Sequence, residues 1–215
     1  MSRISILPAR TAGREGLDRA SVRTALHECR SVNEAAVARA TRDLLIALGA
    51  DLDSEGLRET PRRMATAYLE LLTPEPFNVT TFPNDEGYDE LVVVRDIRFR
   101  SLCMHHVLPF YGVAHVGYLP ADRILGLSKL ARVVDLFARD LQLQERLTTQ
   151  IAGWLQQQLQ PKGVGVVLEA EHLCMSLRGV QKPGTKTVTS ALHGLVREDP
   201  RTREEFLSLT GGRTR

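Results

Sequence analysis

Apolar side chains recur at helical spacing in two segments that follow an N-terminal stretch without a sustained period. In the first segment, Ser31 and Glu34 form a capping-box pattern and Gly49 supplies a stop signal. The apolar face between them consists of Val37, Ala40, Leu44, Leu45 and Leu48. The second segment begins at Thr60, a good N-cap, with Pro61 at the first helical position. The spacing therefore predicts two amphipathic helices.

Short apolar runs predict the strands of a sheet. A run at 91–94 begins a strand, and 112–119 has the pattern of its antiparallel partner. Residues 164–170 are almost continuously apolar, as in a buried strand. The pattern predicts two further strands at 175–180 and 185–195, with a Pro-Gly turn between them.

Helical spacing returns between the hairpin and the last strands. Ser128 is a natural N-cap for a helix whose inward residues are Leu130, Val133, Val134 and Phe137. A second helix begins at Gln144 and runs to Leu159, and a short helix at 202–209 ends the pattern. The order of helices, hairpin, two helices and three strands predicts an α+β fold with helices on one face of an antiparallel sheet.

Composition fits one globular domain with appendages. The chain has 215 residues, of which 43% are hydrophobic and 25% charged, so it can bury a real core. We expect a flexible tail at 1–30, a helical segment and connection at 31–85, and the domain that carries the chemistry at 86–215. The proline-rich stretch at 73–89 is predicted to be the connection.

Charge and cysteine usage narrow the function classes. A net charge of +2 without a dense Lys/Arg block argues against a nucleic-acid partner. No apolar run has the roughly 18 residues that a membrane span needs, and residues 1–30 lack the apolar core of a signal peptide. Three cysteines, with Cys29 given no role, argue for a reducing compartment, so we expect a cytoplasmic protein without a membrane partner.

A thiol and two imidazoles follow the first predicted strand. Cys103 and His106 are three residues apart, so one tight turn can direct both toward the same metal ion, and Cys174 is the best candidate for a third ligand. Two sulfurs and one imidazole match catalytic zinc centres that keep a fourth position for water. His105 and His172 adjoin these ligands without being needed by the metal, as proton-transfer chemistry requires.

Other interpretations of this cluster stay open on spacing alone. Structural zinc sites usually have four protein ligands in two short pairs, and this chain has one such pair. Cys103 and Cys174 could also form a disulfide, or be two buried thiols without a metal.

A second group of residues suits an anionic ligand. Ser128, Lys129 and Arg132 fall on the first turn of a predicted helix, where free N–H groups also favour anions. Taken alone, these residues are better explained as an ordinary capped helix with surface charges. Glu145 either complements a helix N-terminus or accepts two hydrogen bonds from an amidine-like edge such as that of guanine. Arg63, from the residues alone, is interpreted as a solvated surface charge.

Five short motifs occur in order along the chain. They are Ser101-Leu102-Cys103-Met104-His105-His106, Gly126-Leu127-Ser128-Lys129, Gln144-Glu145-Arg146-Leu147, His172-Leu173-Cys174-Met175 and Arg178-Gly179-Val180-Gln181. Together they closely resemble the GTP cyclohydrolase I family over about residues 33–209. The resemblance implies a hydrolase that opens the imidazole ring of GTP, releases C8 as formate and forms 7,8-dihydroneopterin triphosphate. It also implies the tunnelling fold, in which subunit sheets join into a barrel, and a homodecamer of two pentamers with active sites at subunit interfaces.

The resemblance implies a role for each matching residue. Cys103, His106 and Cys174 match the Zn²⁺ ligands, and His105 and His172 match the residues that protonate the purine and assist ring opening. Ser128 would act near the ribose. The remaining matches bind substrate: Gln144 and Glu145 at the guanine edge, and Lys129, Arg132, Arg178 and Arg63 at the triphosphate, which reverses the interpretation of Arg63 from the residues alone.

One position departs from the family pattern. Met104 stands where the family usually has glutamate, so a carboxylate beside the metal is lost. Two alternatives follow: a catalytically impaired paralogue that binds GTP, and a tunnelling-fold enzyme acting on a related pterin or deazapurine. The second predicts a three-histidine metal site or a metal-free cysteine nucleophile. A zinc nucleoside deaminase is disfavoured because its His-x-Glu and Pro-Cys-x-x-Cys signatures are absent.

Overall fold

The structure, a computed structural model, describes residues 32–211. The predicted tail at 1–30 and the predicted capping residue Ser31 lie outside the described residues. In chain order the elements are α1 (Glu34–Ala47), α2 (Thr60–Leu72), β1 (Thr81–Pro83), β2 (Val92–Cys103), β3 (Pro109–Leu119), β4 (Arg123–Leu125), α3 (Leu127–Ala138), β5 (Leu141–Gln142), α4 (Gln144–Leu159), β6 (Gly163–His172), α5 (Leu173–Ser176), β7 (Lys186–Gly194), α6 (Leu195–Glu198) and α7 (Pro200–Leu209).

Five strands form one mixed sheet in the order β5-β2-β3-β6-β7. The β2–β3, β3–β6 and β6–β7 pairs are antiparallel, and the two-residue β5 joins β2 in parallel. The α+β class and the antiparallel hairpin of β2 with β3 are therefore confirmed. β1, which belongs to the predicted connection, pairs with β4 in a separate two-stranded ribbon.

The core lies between the sheet and the helices α3 and α4. Alternate strand residues point to the covered face, as the period of two requires. The fully buried side chains include Leu130, Val133 and Val134 of α3, Leu147, Ile151 and Leu155 of α4, and Ala114, Val116, Val166 and Leu168 of the sheet. The inward face predicted for α3 is thus confirmed, with Phe137 packed against the core at its margin.

The helix starts differ from the predicted caps. Asn33 caps α1 by accepting a 3.0 Å hydrogen bond from the N–H of Ala36. Glu59 precedes α2 and Gly126 precedes α3, neither of them with a side-chain cap. The predictions of Thr60 and Ser128 as N-caps were therefore wrong, and both residues lie inside a first turn.

The strand predicted at 175–180 was also wrong. After β6 the chain forms the four-residue helix α5 and then turns through residues 177–185 before β7 begins. The apolar residues there do not reach the core: Leu177 and Val180 are exposed. This segment matters for the site, because α5 carries Cys174 and the loop carries Arg178.

The C-terminal helix is anchored on the sheet by a single aromatic side chain. The helix predicted at 202–209 is confirmed as α7, which begins at Pro200 after the Asp199 cap. Phe206 is fully buried and lies over Gly117 and Gly165, where an added Cβ would come within about 3 Å of its ring. Within the described range, no helix combines the length and apolar character needed to cross a membrane.

Candidate active site

A tight turn at the end of β2 presents the first two candidate metal ligands. The N–H of Val107 donates to the carbonyl of Cys103 at 2.8 Å, and the N–H of Cys103 donates to the carbonyl of Leu108 at 2.9 Å. Val107 has a φ of 55°, in the left-handed region that a β-branched residue rarely adopts. The turn is therefore closed at the cost of local backbone strain.

The third candidate ligand comes from a different part of the sheet. β6 ends at His172, opposite Phe110 of β3, and α5 then brings Cys174 back over the turn. The thiol sulfurs of Cys103 and Cys174 and a ring nitrogen of His106 all lie within 4.8 Å of one another. Both cysteines are free thiols. The three residues that the sequence proposed as ligands are thus brought together.

The donor set fits a zinc ion. Zinc binds sulfur at about 2.3 Å and histidine nitrogen at about 2.0 Å, so one ion spans ligand atoms about this far apart. Burial and the neighbouring Cys103 raise the pKa of the Cys174 thiol, and Arg178 opposes the increase. A cation held between the two sulfurs would remove that penalty, since metals bind thiolates. Three ligands without a fourth protein donor suit a catalytic rather than a structural zinc.

His105 lies beside this group but outside it. Its Nδ1 is 3.9 Å from the Sγ of Cys103, the same distance as the Nδ1 of His106. The two rings meet edge to face with centroids 6.1 Å apart. Among the described residues, the three-ligand group includes His106 and leaves His105 out. His105 is exposed and is free to contact a substrate.

His172 is held in a fixed orientation at the end of β6. Its ring stacks on the buried ring of Phe110, with centroids 4.5 Å apart and planes within 1° of parallel. Its Nε2 lies 2.8 Å from the Oε1 of Gln144. Burial lowers the pKa of His172, and the nearby carboxylate of Glu145 opposes that effect. Burial thus favours the neutral ring.

Gln144 and Glu145 begin α4 but differ in access. Gln144 is only 1% exposed, and both ends of its carboxamide bond protein groups. Glu145 is exposed in the first turn of α4, close enough to His172 to influence its pKa. The expected contact of Gln144 with the guanine edge therefore does not fit its position, whereas Glu145 is available.

Glu171 organises the loop that follows α5 and carries Arg178, a role that the sequence did not reveal. Its Oε1 accepts a 2.6 Å bond from the hydroxyl of Ser176 and a 3.0 Å bond from the N–H of Gly184. These two donors lower the pKa of Glu171. The two ends of the loop are thus joined at one carboxylate, beside strand β6.

The three candidate anion-binding residues at the start of α3 lie at the opposite end of the sheet from the thiols. Ser128, Lys129 and Arg132 lie on the first turns of α3, and the hydroxyl of Ser128 caps nothing. The chain entering α3 is held near β3, because the N–H of Leu125 donates to the hydroxyl of Tyr118 at 2.9 Å. Tyr118 pairs with Val92, at the start of β2, and Cys103 lies at its end.

The far end of α3 lies near the thiols instead. Asp140 lies two residues after the end of this helix. Its backbone carbonyl accepts a 3.2 Å hydrogen bond from the hydroxyl of Ser101. The rise of α3 from Ser128 to Ala138 is about 15 Å. A single chain therefore keeps Ser128 and Lys129 apart from Cys103. Arg63 lies exposed on the first turn of α2, and within residues 32–211 no side-chain hydrogen bond or ion pair joins it to either group.

Comparisons with known proteins identify the family of this chain. The family model for GTP cyclohydrolase I matches residues 37–211. GTP cyclohydrolase 1 of Streptomyces griseus is 59% identical over 175 residues, covering 79% of this chain and 87% of its own. GTP cyclohydrolase 1 of Aquifex aeolicus is 51% identical over 182 residues, covering 85% of this chain and 99% of its own. The chain belongs to the GTP cyclohydrolase I family.

Proposed function

We propose that this chain hydrolyses GTP to formate and 7,8-dihydroneopterin triphosphate, as GTP cyclohydrolase I. The observation that carries the proposal is the convergence of Cys103, His106 and Cys174, with His105 and His172 beside them. One water adds at C8 of the guanine and opens the imidazole ring to a formamide, and a second water cleaves the remaining C8–N bond so that C8 leaves as formate; closure of the pterin ring later releases one water. The ribose then opens, rearranges and closes onto the freed amine to form the pterin.

The proposed metal is Zn²⁺. Cys103, His106 and Cys174 would hold it, because two thiolates and one imidazole are a ligand set of catalytic zinc enzymes. When bound, zinc supplies the Lewis acidity that makes water nucleophilic near neutral pH. The strained turn at Val107 and the short helix α5 keep the ligands of the two elements together.

Two histidines would move the protons of ring opening. His105 is exposed next to Cys103, so its ring can deliver a proton to the purine nitrogen that leaves C8. His172 is half-buried and fixed in position, and burial favours its neutral form, so it can accept a proton from the same reaction. The pair thus divides acid and base work between an exposed and a fixed ring.

Glu145 would select guanine. Its exposed carboxylate can accept hydrogen bonds from N1–H and the 2-amino group, two donors that adenine lacks. In a closed site, an adenine nucleotide would leave this carboxylate without hydrogen-bond donors. The unpaired carboxylate would weaken binding, so adenine nucleotides would be rejected. Gln144 bonds His172 from the interior and is given no contact with the substrate.

The triphosphate would bind the cations, and a second copy of the chain would complete the site. Lys129, Arg132, Arg178 and Arg63 are the proposed phosphate ligands, with Ser128 near the ribose. Since Lys129 and Cys103 are far apart in one chain, we propose that Ser128, Lys129 and Arg132 reach the thiols of a neighbouring subunit. This agrees with the tunnelling-fold barrel and the decamer of two pentamers that the resemblance implies.

Turnover of GTP by the zinc-loaded protein tests the proposal. We expect formate and a fluorescent pterin to be released in equal amounts, and ATP to yield neither. Release of formate without pterin would indicate an enzyme that stalls after ring opening. Tight binding of GTP without formate would overturn the proposal in favour of a GTP-binding paralogue, for which the loss of the usual glutamate at Met104 would be the reason.

A further inference from the structure

The orientation of the Gln144 carboxamide is decided by its surroundings. One end of the amide faces the carbonyl oxygen of Thr187 at 2.9 Å, the carbonyl oxygen of Leu168 at 3.2 Å and the hydroxyl of Thr189 at 3.2 Å. Carbonyl oxygens only accept hydrogen bonds, so the end that faces them must be the amide nitrogen. The amide oxygen is therefore at the other end.

That oxygen determines the protonation of one nitrogen of His172. The Oε1 of Gln144 lies 2.8 Å from Nε2 of His172, and an amide oxygen has no proton to donate. Nε2 must therefore be the donor, and it carries a proton whether the ring is neutral or charged. Nδ1 is the remaining nitrogen, the one that can lose and regain a proton.

The ring cannot easily exchange its two edges. Phe110 is fully buried, and its ring lies parallel to that of His172 at a centroid distance of 4.5 Å, which fixes the plane of the imidazole. Rotating the ring by 180° about the Cβ–Cγ bond would keep the same plane, but it would put a carbon in the place of Nε2. The Gln144 oxygen would then have no donor. Phe110 therefore sets the plane, and Gln144 sets which edge of the ring faces inward.

Gln144 is itself held by a buried network. The hydroxyl of Thr148 donates to the backbone carbonyl of Gln144 at 2.6 Å and lies 2.6 Å from the hydroxyl of Thr189. These bonds join the first turn of α4 to strand β7, and the bond to Leu168 adds β6. A fully satisfied polar network of this kind allows one arrangement of its members.

We propose that Gln144 is a positioning residue: by accepting a hydrogen bond from Nε2 of His172, it fixes the ring so that Nδ1 is the nitrogen left for the substrate. This rests on the proposed function, which makes His172 a catalytic residue. It replaces contact between Gln144 and guanine, because a side chain that is 1% exposed and bonded at both ends has nothing left for a ligand.

Nuclear magnetic resonance of the zinc-loaded protein, labelled with ¹⁵N-histidine, tests the proton position directly. We expect Nε2 of His172 to have the shift of a protonated ring nitrogen and Nδ1, above the pKa, that of an unprotonated one. A His172→Asn variant identifies the signals by their loss. A protonated Nδ1 with an unprotonated Nε2 would overturn the proposal. This measurement requires no turnover, so its outcome is separate from that of the GTP assay.

Kinetic measurements on a Gln144 variant test whether the positioning of His172 affects turnover. Gln144→Met keeps the length of the side chain without an acceptor, and we expect kcat to fall about 10–100-fold, as for other residues that orient a catalytic histidine. KM for GTP and zinc content should change less than about twofold, since Gln144 touches neither.

The controls separate positioning from general damage to α4. Thr149→Val alters a neighbouring exposed residue whose hydroxyl donates only to the carbonyl of Glu145, and kcat should be unchanged. A raised KM with unchanged kcat in Gln144→Met would overturn the proposal in favour of substrate contact, and unchanged kcat and KM would overturn it as well. If Gln144→Met does not fold, the ¹⁵N spectrum of the unaltered protein decides.

Discussion

At the scale of single residues, the candidate site separates metal ligands from proton carriers. Cys174 is one of three side chains whose ligand atoms converge, so Cys174→Ala leaves two ligands. We expect this variant to lose zinc and, with it, at least 1,000-fold in kcat/KM, a loss of about 4 kcal/mol in transition-state stabilisation. Metal analysis after gel filtration, together with the formate assay, measures both. Full activity in a protein free of metal would contradict this.

His105→Ala is the matched comparison, since His105 lies as close to Cys103 as the ligand His106 does. Because His105 is outside the three-ligand group, the variant should keep one zinc per chain while ring opening falls about 100–10,000-fold, the usual contribution of a general acid. Loss of zinc from His105→Ala would instead make His105 a ligand.

The left-handed conformation of Val107 gives another prediction for a single residue. A non-glycine residue in this region costs about 1–2 kcal/mol, and glycine removes that cost while adding about 0.5–1 kcal/mol of unfolded-chain entropy. Val107→Gly should therefore leave the free energy of unfolding unchanged or raise it by up to about 1.5 kcal/mol. Denaturant titration of the metal-free protein measures this.

Val188→Gly provides the control, because Val188 is also exposed but lies within strand β7. Glycine relieves no strain in this strand, so the free energy of unfolding of this variant should fall by about 1 kcal/mol. Equal losses in the two variants would show that the Val107 turn is not strained.

The sequence was informative about residues whose chemistry is local. Cys103 and His106 are three positions apart, so their convergence on one ion followed from spacing, and Cys174 was the one further thiol after a strand. The role of Gln144 could not follow from spacing. It depends on burial and on acceptors from Leu168 and Thr187, which only the folded sheet brings near.

At the scale of elements, the loop from α5 to β7 depends on Glu171. Glu171→Ala removes the acceptor for Ser176 and Gly184, so we expect trypsin to cleave after Arg178, in this loop, several-fold faster at neutral pH. The pKa of Glu171 is lowered in the folded chain, so its contribution is complete above the ordinary glutamate pKa and is lost as the pH falls through the lowered value.

Glu169→Ala is the control for this loop. Glu169 lies two residues earlier on β6 and pairs with Lys186 across the strands rather than with the loop. Cleavage after Arg178 should keep its wild-type rate in this variant. Similar acceleration in both variants would show that the loop depends on β6 as a whole and not on the Glu171 carboxylate.

Helix α7 makes a second element-scale prediction. Phe206 is fully buried over Gly117 and Gly165, so Phe206→Ala should lower the free energy of unfolding by about 3–5 kcal/mol. Gly165→Ala should also destabilise, because its Cβ would meet the ring at 2.6 Å. In the double variant the clash is gone, so its loss should be smaller than the sum of the two single losses. Additive losses would contradict this packing.

The elements that sequence predicted well were those with long periodic faces. α1, α3, α4 and the β2–β3 hairpin were all found from apolar spacing. The predicted N-caps were wrong where tertiary hydrogen bonds determine where a helix begins. The N–H of Gly126 donates to the carbonyl of Thr80 at 3.0 Å, which keeps the chain extended until Leu127. The strand expected at 175–180 failed because Glu171 draws its ends into a closed loop, a contact with no periodic signature.

At the scale of the whole molecule, the two halves of the proposed site lie apart in one chain. Cys103 lies at one end of β2, and Ser128 and Lys129 lie near the other, separated by a helix rise of about 15 Å. A head-to-tail ring places the same two surfaces of neighbouring copies together at every interface. The shared site therefore requires an oligomer, which the proposed decamer provides.

Mixed oligomers test the shared site. Cys174→Ala and Lys129→Ala chains, each inactive as homo-oligomers, are coexpressed with different affinity tags and purified through both. Each interface then combines the thiols of one chain with the cations of another, so random mixing should restore about a quarter of wild-type activity. The doubly altered chain, Cys174→Ala with Lys129→Ala, mixed with Cys174→Ala is the control and should stay inactive. Mixed oligomers without activity would mean that each site is built within a single chain, because complementation needs a donor on each side of the interface.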